Sequence, residues 1–167
     1  MTRPFLNPPD RDAEASAGKC HEKADNVTPM VCRMLVCLLG ADEMDVPLPV
    51  DLRYDIADPY AVYMTFHLGP HETRQWVMGR DLLMSGQQQL TGLGDVRAWP
   101  SRRRGVSTMC ISIGAPEEAV VLEARALTLD AFLRRTLDLV PRGTEHQYLN
   151  LDDIANRLLS APDEPHP

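Results

Sequence analysis

The spacing of hydrophobic residues predicts strands through most of the chain and helices near its C-terminal end. Residues 60–68 carry the clearest strand signal, because aromatic and β-branched residues are dense there and side chains alternate with a period of two. The alternation places Val62, Met64, Phe66 and Leu68 on one face and Ala61, Tyr63, Thr65 and His67 on the other. The other strand predictions are residues 31–39, 46–54, 75–78, 96–99, 106–113 and 119–124.

Prolines limit two of these strands. Proline has no amide hydrogen to give to a sheet, so it is confined to edges, strand ends and bulges. Pro47 and Pro49 therefore place at least the first part of strand 46–54 at an edge or in an entry loop. Pro100 is expected to end strand 96–99 or turn it outward, and residues 101–105 follow as a hairpin tip with three arginines.

A short helix and a glycine-rich turn are predicted between the fourth and fifth strands. The helix begins near Arg80, carries Asp81 in its first turn, and is stopped by Gly86. Gly92 and Gly94 follow, and both are predicted to be structural turn residues because glycine tolerates a positive φ and a close backbone approach.

Two helices are predicted after the last strand. Residues 127–140 have helical spacing, with Thr128 as the N-cap. Gly143 lies in the turn that follows and is expected to supply conformational freedom there. Asn150 is expected to cap a final helix. Its apolar stripe, expected to pack on the core or at a subunit interface, is Leu151, Ile154, Ala155, Leu158 and Leu159.

These elements predict an α+β domain built on antiparallel sheet pairing, with six to seven strands, one short helix between strands and two C-terminal helices. The connections between strands are too short for the crossovers that parallel strands need. Residues 29–160 form the predicted domain, residues 1–28 a flexible leader without periodicity, and residues 161–167 a polar tail.

Composition and charge restrict the classes of function. The formal net charge of −7 opposes unaided binding to nucleic acid or to an anionic membrane, although a local basic patch could overcome it. No apolar run is long enough to span a bilayer, and the leader has no secretory signal pattern, so a cytoplasmic location is expected.

The residues that usually carry chemistry form no catalytic or metal-binding pattern. His67, His71 and Glu72 have a suggestive spacing, but Gly69 and Pro70 interrupt it at a strand end. The four cysteines include no closely spaced pair, and the three in or near apolar strand-like runs are expected to be small buried hydrophobes in a reducing compartment. The sequence therefore predicts no enzyme, no cofactor and no metal.

A basic and aromatic cluster is the candidate binding site. It consists of Arg97, Trp99, Arg102, Arg103 and Arg104. Three readings remain open: a solvated hairpin tip, a site for an acidic protein partner, and a single-stranded nucleic-acid site with Trp99 as the stacking platform. Trp76 and Trp99 are otherwise expected to bury both indoles in one shared core.

Several ordered motifs resemble the SsgA-like family of actinomycete sporulation and cell-division regulators, over residues 31–159. They are residues 51–62 (DLRYDIADPYAV), 65–67 (TFH), 76–77 (WV), 80–83 (RDLL), 91–100 (TGLGDVRAWP), 132–136 (FLRRT) and 140–145 (VPRGTE). The chain departs from the family in its long leader and in Arg142, which stands where a second proline is common.

The resemblance implies a non-enzymatic protein at the sporulation septum that recruits or positions the division protein FtsZ or a family paralogue. Action on cell-wall enzymes is a further alternative. It also implies a homotrimer with a fold similar to that of the whirly-type single-stranded nucleic-acid binders, which keeps nucleic-acid binding as the alternative function.

Overall fold

A computed structural model describes residues 28–40, 45–115 and 117–159 of the 167-residue chain. These ranges fall on the domain predicted for residues 29–160, together with residue 28. The rest of the predicted leader and the predicted tail lie outside the described residues.

Seven antiparallel strands form one sheet in the order β4-β3-β2-β1-β7-β6-β5. Their bounds are β1 Met30–Leu39, β2 Val46–Tyr54, β3 Ala61–Gly69, β4 Glu72–Gly79, β5 Val96–Arg103, β6 Val106–Ile113 and β7 Val120–Arg125. The helices are α1 Arg80–Gly86, α2 Ala126–Leu139 and α3 Leu151–Leu159, with a 3₁₀ helix at Glu145–Tyr148. The predicted α+β class, the strands and the helices are confirmed.

One face of the sheet, hereafter the core face, packs against α1 and α2. Val62, Met64 and Phe66 of β3 are buried there, as their alternation predicts. Leu68 lies on the same face but is 48% exposed, because the helices do not cover that end of the sheet. The helices contribute Leu83 of α1 and, from α2, Leu129, Phe132 and Leu133 to the same cluster.

Helix α1 joins the two edge strands of the sheet, since it follows β4 directly and packs against β5. Gly86 ends α1, as predicted. A Cβ atom on Gly86 would lie 2.5 Å from the Cβ of Ala98, closer than real Cβ atoms approach. Glycine at this position therefore lets α1 and β5 meet.

Pro100 does not end its strand, and this prediction is wrong. Strand β5 continues to Arg103, with Pro100 opposite Met109 of β6. Because β5 is the last strand of the sheet, the missing amide hydrogen of Pro100 leaves the sheet intact. The hairpin turn is only Arg104-Gly105, and both residues have positive φ, as a two-residue type I′ turn requires.

The prolines of β2 follow the prediction. Pro47 and Pro49 pair with β1, whereas β3 pairs with β2 only from Val50 to Arg53. The first part of β2 therefore has an open side even though the strand lies inside the sheet order.

Thr128 is not the N-cap of α2. The helix begins at Ala126, directly after β7, and its N-cap position, Arg125, makes no side-chain capping hydrogen bond. Of the three cysteines that the structure describes, Cys110 is buried, as predicted, whereas Cys32 and Cys37 are half-buried.

Helix α3 begins at Leu151, one residue after Asn150. Leu151 and Leu159 of its predicted apolar stripe are 65% and 85% exposed, so these two residues do not pack into the core of this chain. The side chains of Ile154 and Leu158 lie outside the described part of the structure.

A buried ion pair between Arg80 and Glu145 fixes the end of α2. The guanidinium of Arg80 donates to Glu145 Oε1, to Thr136 O at 3.2 Å and to Val140 O at 2.7 Å. The last two acceptors lie at the C-terminal end of α2, where Thr136 O also accepts from the backbone N–H of Val140 at 2.9 Å. Val140 O lies beyond the last helical residue, where carbonyl groups lack partners within the helix. Arg80 also lies over the ring of Tyr54 and donates to its hydroxyl at 3.0 Å.

The environment of the pair shifts the pKa of Glu145 itself and that of the adjacent Tyr54. Hydrogen bonds from its own backbone amide, from Arg80 and from the amide of Gly143 lower the pKa of Glu145, although burial opposes them. Burial raises the pKa of Tyr54 to about 12. The Tyr54 hydroxyl stays protonated and donates to Pro59 O at 3.1 Å.

Arg80→Met is expected to lower the free energy of unfolding by about 3–5 kcal/mol, because it leaves the Glu145 carboxylate buried without its cation. Urea denaturation followed by circular dichroism measures the change. The control is Arg33→Met, whose side chain is 69% exposed and whose loss should change the free energy of unfolding much less. Equal effects of the two substitutions would contradict a structural role for the buried pair.

Gly143→Val is expected to lower the free energy of unfolding by about 1–2 kcal/mol. Gly143 has a φ of +85°, and no atom lies within 4 Å of a Cβ built there, so the cost is backbone strain and not a clash. Gly143→Asn is the matched variant and should cost less, since asparagine tolerates this conformation. Thermal melts measure both variants. If Gly143→Val and Gly143→Asn had the same melting temperature, backbone strain would not explain the effect.

Candidate protein-interaction surface

The predicted binding cluster does not form one patch. Arg97 and Trp99 project from β5 on the open face, the side of the sheet opposite the helices, and line a cavity of about 400 Å³ with Leu90 and Ser112. Arg102 lies on the core-face side of β5, and Arg104 lies in the turn. Arg102, Arg103 and Arg104 together line a separate cavity of about 520 Å³.

Arg103 forms ion pairs with two carboxylates of its own chain. Its guanidinium binds Asp45 and also donates to Glu123 Oε2 at 3.1 Å. Thr108 donates to the other oxygen of Glu123 at 2.9 Å. These two carboxylates hold the pKa of Arg103 above its ordinary value. Arg103 therefore ties the hairpin to β7 and is not a free cation for a partner.

Arg97, Arg102 and Arg104 are exposed and make no ion pair with any residue that the structure describes. They are the members of the cluster that remain for an acidic partner. Their charge is local, since the chain as a whole has a formal net charge of −7.

The two tryptophans do not share a core, which corrects the prediction. Trp76 is half-buried on the core face and packs against the hydrophobic cluster. Trp99 is half-buried on the open face, opposite Cys110. Burial raises the pKa of the Cys110 thiol, so this cysteine is held in its neutral form.

The glycine turn brings the start of β5 back toward α1. Gly92 has a φ of +105°, and a Cβ built on it would lie 2.3 Å from Val96 O. Gly94 has a φ of +74° and open space around it. Thr91 and Ala98 exchange two backbone hydrogen bonds of 2.8 Å, which covers part of the outer edge of β5.

The open face also carries a charged cluster that the sequence analysis did not identify. Arg33 donates to both carboxylate oxygens of Asp51 at 2.7 and 2.9 Å, and His67 Nε2 lies 2.8 Å from Asp51 Oδ2. The hydrogen bond from Arg33 is the main cause that lowers the pKa of Asp51 to about 2. The period-two charges on three neighbouring strands could have indicated this cluster, once the strand order was known.

His67 is thus held by Asp51, and His71 is exposed in the turn between β3 and β4. No group of three potential metal ligands occurs within the described ranges. Among the helices of these ranges, none is long and apolar enough to cross a bilayer.

An apolar groove occupies the end of the core face that the helices leave uncovered, and its cavity measures about 340 Å³. The lining residues are Leu38, Leu48, Phe66, Leu68, Arg74, Trp76, Ile113, Gly114, Glu118, Val120 and Leu122. Arg74 of β4 and Glu118 of the β6–β7 turn are its two charged residues. The sheet is curled so that the edge strand β4 and this turn border the same cavity.

Sequence and structure comparisons give the same family. The family model described as "Streptomyces sporulation and cell division protein, SsgA" matches residues 48–145. The chain is 47% identical over 133 residues to the sporulation-specific cell division protein SsgB of Streptomyces coelicolor, covering 80% of this chain and 97% of that protein. The SsgB of Thermobifida fusca is 37% identical over 132 residues, covering 78% and 96%.

Two solved structures are similar over most of the described domain. A structure from work on SsgB of Streptomyces coelicolor superposes with a TM-score of 0.69 at 49% identity, covering 72% of this chain and 95% of that one. The SsgA-like sporulation-specific cell division protein of Thermobifida fusca superposes with a TM-score of 0.72 at 37% identity, covering 78% and 96%. The curled seven-stranded sheet with its helices is thus shared with both proteins, and the chain belongs to the SsgA family of sporulation and cell-division proteins.

Proposed function

We propose that the protein is a non-enzymatic adaptor at the sporulation septum that recruits or positions FtsZ or a family paralogue. The observation that carries this proposal is the similarity to SsgB of Streptomyces coelicolor, which extends over 97% of that relative. A role in sporulation-specific cell division comes with the family. The proposal adds the location at the septum and the direct partner.

The described surface supports a binding role. Its best-placed charged groups bind one another: Asp51 holds Arg33 and His67, and Glu123 holds Arg103. Such pairs stabilise a scaffold, since neither carboxylate is left available as a base. What the surface offers to a partner is a set of unpaired arginines, a half-exposed indole and an apolar groove.

We also infer that the protein works as a homo-oligomer, with the trimer as the family expectation. Exposed apolar side chains on two separate elements support self-association: Leu151 and Leu159 on α3, and Val31 and Leu35 on the open face of β1. Apolar residues exposed together in this way are typical of interaction sites.

Purified protein is expected to co-sediment with GTP-polymerised FtsZ and to stay in solution with FtsZ in GDP. Reversal of Arg97, Arg102 and Arg104 to glutamate should reduce co-sedimentation about tenfold at low salt, because these cations have no ion-pair partner among the described residues. Arg103 is left intact to keep the hairpin in place. Reversal of Arg134, Arg135 and Arg142 on the helical side is the charge-matched control.

Absence of the wild-type protein from the FtsZ pellet, with normal septum placement in a deletion strain, would exclude the FtsZ role. Pull-down of a paralogue from sporulating cells would then identify the other proposed partner.

Single-stranded nucleic-acid binding is the second candidate, favoured by one observation: the half-exposed Trp99 indole lies in a cavity beside Arg97. A fold similar to that of whirly-type proteins would fit this activity. If it is correct, a fluorescent 20-nucleotide oligomer should bind at low salt, and Trp99→Ala should weaken binding by about 1–3 kcal/mol. Fluorescence anisotropy measures both. No change in anisotropy at low salt, where attraction to phosphate is strongest, excludes this candidate.

A further inference from the structure

The two edge strands of the sheet differ in their ability to accept another strand. The outer edge of β5 is partly covered by Thr91, which exchanges backbone hydrogen bonds with Ala98, and Pro100 removes one further donor. The outer edge of β4 has neither protection. In the part of the chain that the structure describes, β4 pairs only with β3, and it contains no proline.

The open edge of β4 borders the apolar groove. Arg74 and Trp76 are core-face residues of β4, opposite Phe66 and Met64 of β3, and both line the groove. At the other end of β4, α1 fills the space between the edge strands. A strand added to β4 would therefore run beside the groove and direct every second side chain into it, because side chains alternate along a strand.

We propose that this edge and the groove together bind an extended segment of a partner protein by strand addition to β4. The proposal rests on the proposed function in one respect, namely that the protein acts by contacting other proteins.

The lining defines the chemistry of the segment. The groove is bordered mostly by aliphatic and aromatic side chains, so the residue opposite Trp76 is apolar. Arg74 makes no ion pair with any described residue, and the residue opposite it is therefore a carboxylate. Glu118 on the other lip disfavours a carboxylate elsewhere in the groove.

A second copy of this chain fits the site less well. If two β4 edges paired with each other, the core-face side chains of each strand would still point into their own groove. Trp76 already lines the groove of its own chain, so such pairing would fill neither cavity. A separate segment with its own apolar side chains can pair with the β4 backbone and also fill the groove.

Selection of a random twelve-residue peptide library on the full chain tests this inference without FtsZ. Enriched peptides should alternate apolar residues and carry an acidic residue, and a synthetic copy should bind in solution. Leu68→Arg and Val120→Arg, at exposed groove positions, should each weaken binding about tenfold or more. Leu127→Arg, at an exposed position on α2 outside the groove lining, is the matched control and should bind as wild type does.

Charge exchange tests the contact to Arg74. Arg74→Glu should weaken binding of the acidic peptide, and replacement of the peptide's acidic residue by lysine should restore it. Hydrogen exchange tests strand addition itself, because bound peptide should protect the β4 amides that β3 leaves unpaired. A ligand that merely occupies the groove would leave those amides exchanging freely.

Several outcomes would overturn the inference: no enriched peptide, binding insensitive to Leu68→Arg and Val120→Arg, or no protection of β4. Protection of the β4 amides in the absence of peptide would also overturn the inference. Protection that rises with protein concentration would indicate that a second copy covers β4. Protection independent of concentration would indicate that a segment of the same chain covers it. Co-sedimentation with FtsZ is a separate measurement. Loss of co-sedimentation would contradict the proposed function, whereas loss of peptide binding would contradict strand addition to β4.

Discussion

The buried ion pair between Arg80 and Glu145 is the constraint on which the arrangement of helices and sheet depends. Taking two charges out of water costs several kcal/mol for each ion, and only good geometry with further hydrogen bonds offsets that cost. Arg80 meets this condition because it also binds Tyr54 and two carbonyl groups at the end of α2. One side chain at the start of α1 thereby joins β2, the end of α2 and the 3₁₀ helix. Loss of Glu145 would leave the Arg80 cation buried without its carboxylate, so the pair holds the helices at one end of the core face.

Within the described residues, that fixed position leaves the other end of the core face apolar and uncovered. Helices α1 and α2 bury the core face near the end of β2, where Tyr54 lies, whereas Leu68 and Val120 remain exposed around the groove. A domain of this size could have closed the gap with a longer helix or another strand, but α1 ends at Gly86, where it meets β5. The protein thus keeps an edge strand and an apolar cavity side by side. Natural sheets usually block or cover such edges, and no described residue covers the outer edge of β4, which is why strand addition was proposed there.

The sequence was sufficient for elements whose signal is local. Alternation, apolar runs and β-forming residues predicted all seven strands, helical spacing predicted α2 and α3, and Asp81 with Gly86 predicted α1. It failed where the answer depends on residues distant in the chain. The burial of Arg80 requires Glu145, which lies 65 positions away, and Arg103 is neutralised by Asp45, which lies 58 positions away. The error at Pro100 has the same origin, because only the strand order shows that β5 is an edge.

The candidate site was predicted less well than the fold for a related reason. Residues close in sequence along a strand point to opposite faces, so a cluster of arginines on one hairpin is divided by the sheet itself. Arg97 and Trp99 face one side, Arg102 faces the other, and Arg103 turns inward to its carboxylates. The groove, in contrast, is lined by residues from six strands and one turn, so no local sequence motif predicts it. The groove is thus a product of strand order and of where the helices end, and both depend on contacts between distant parts of the chain.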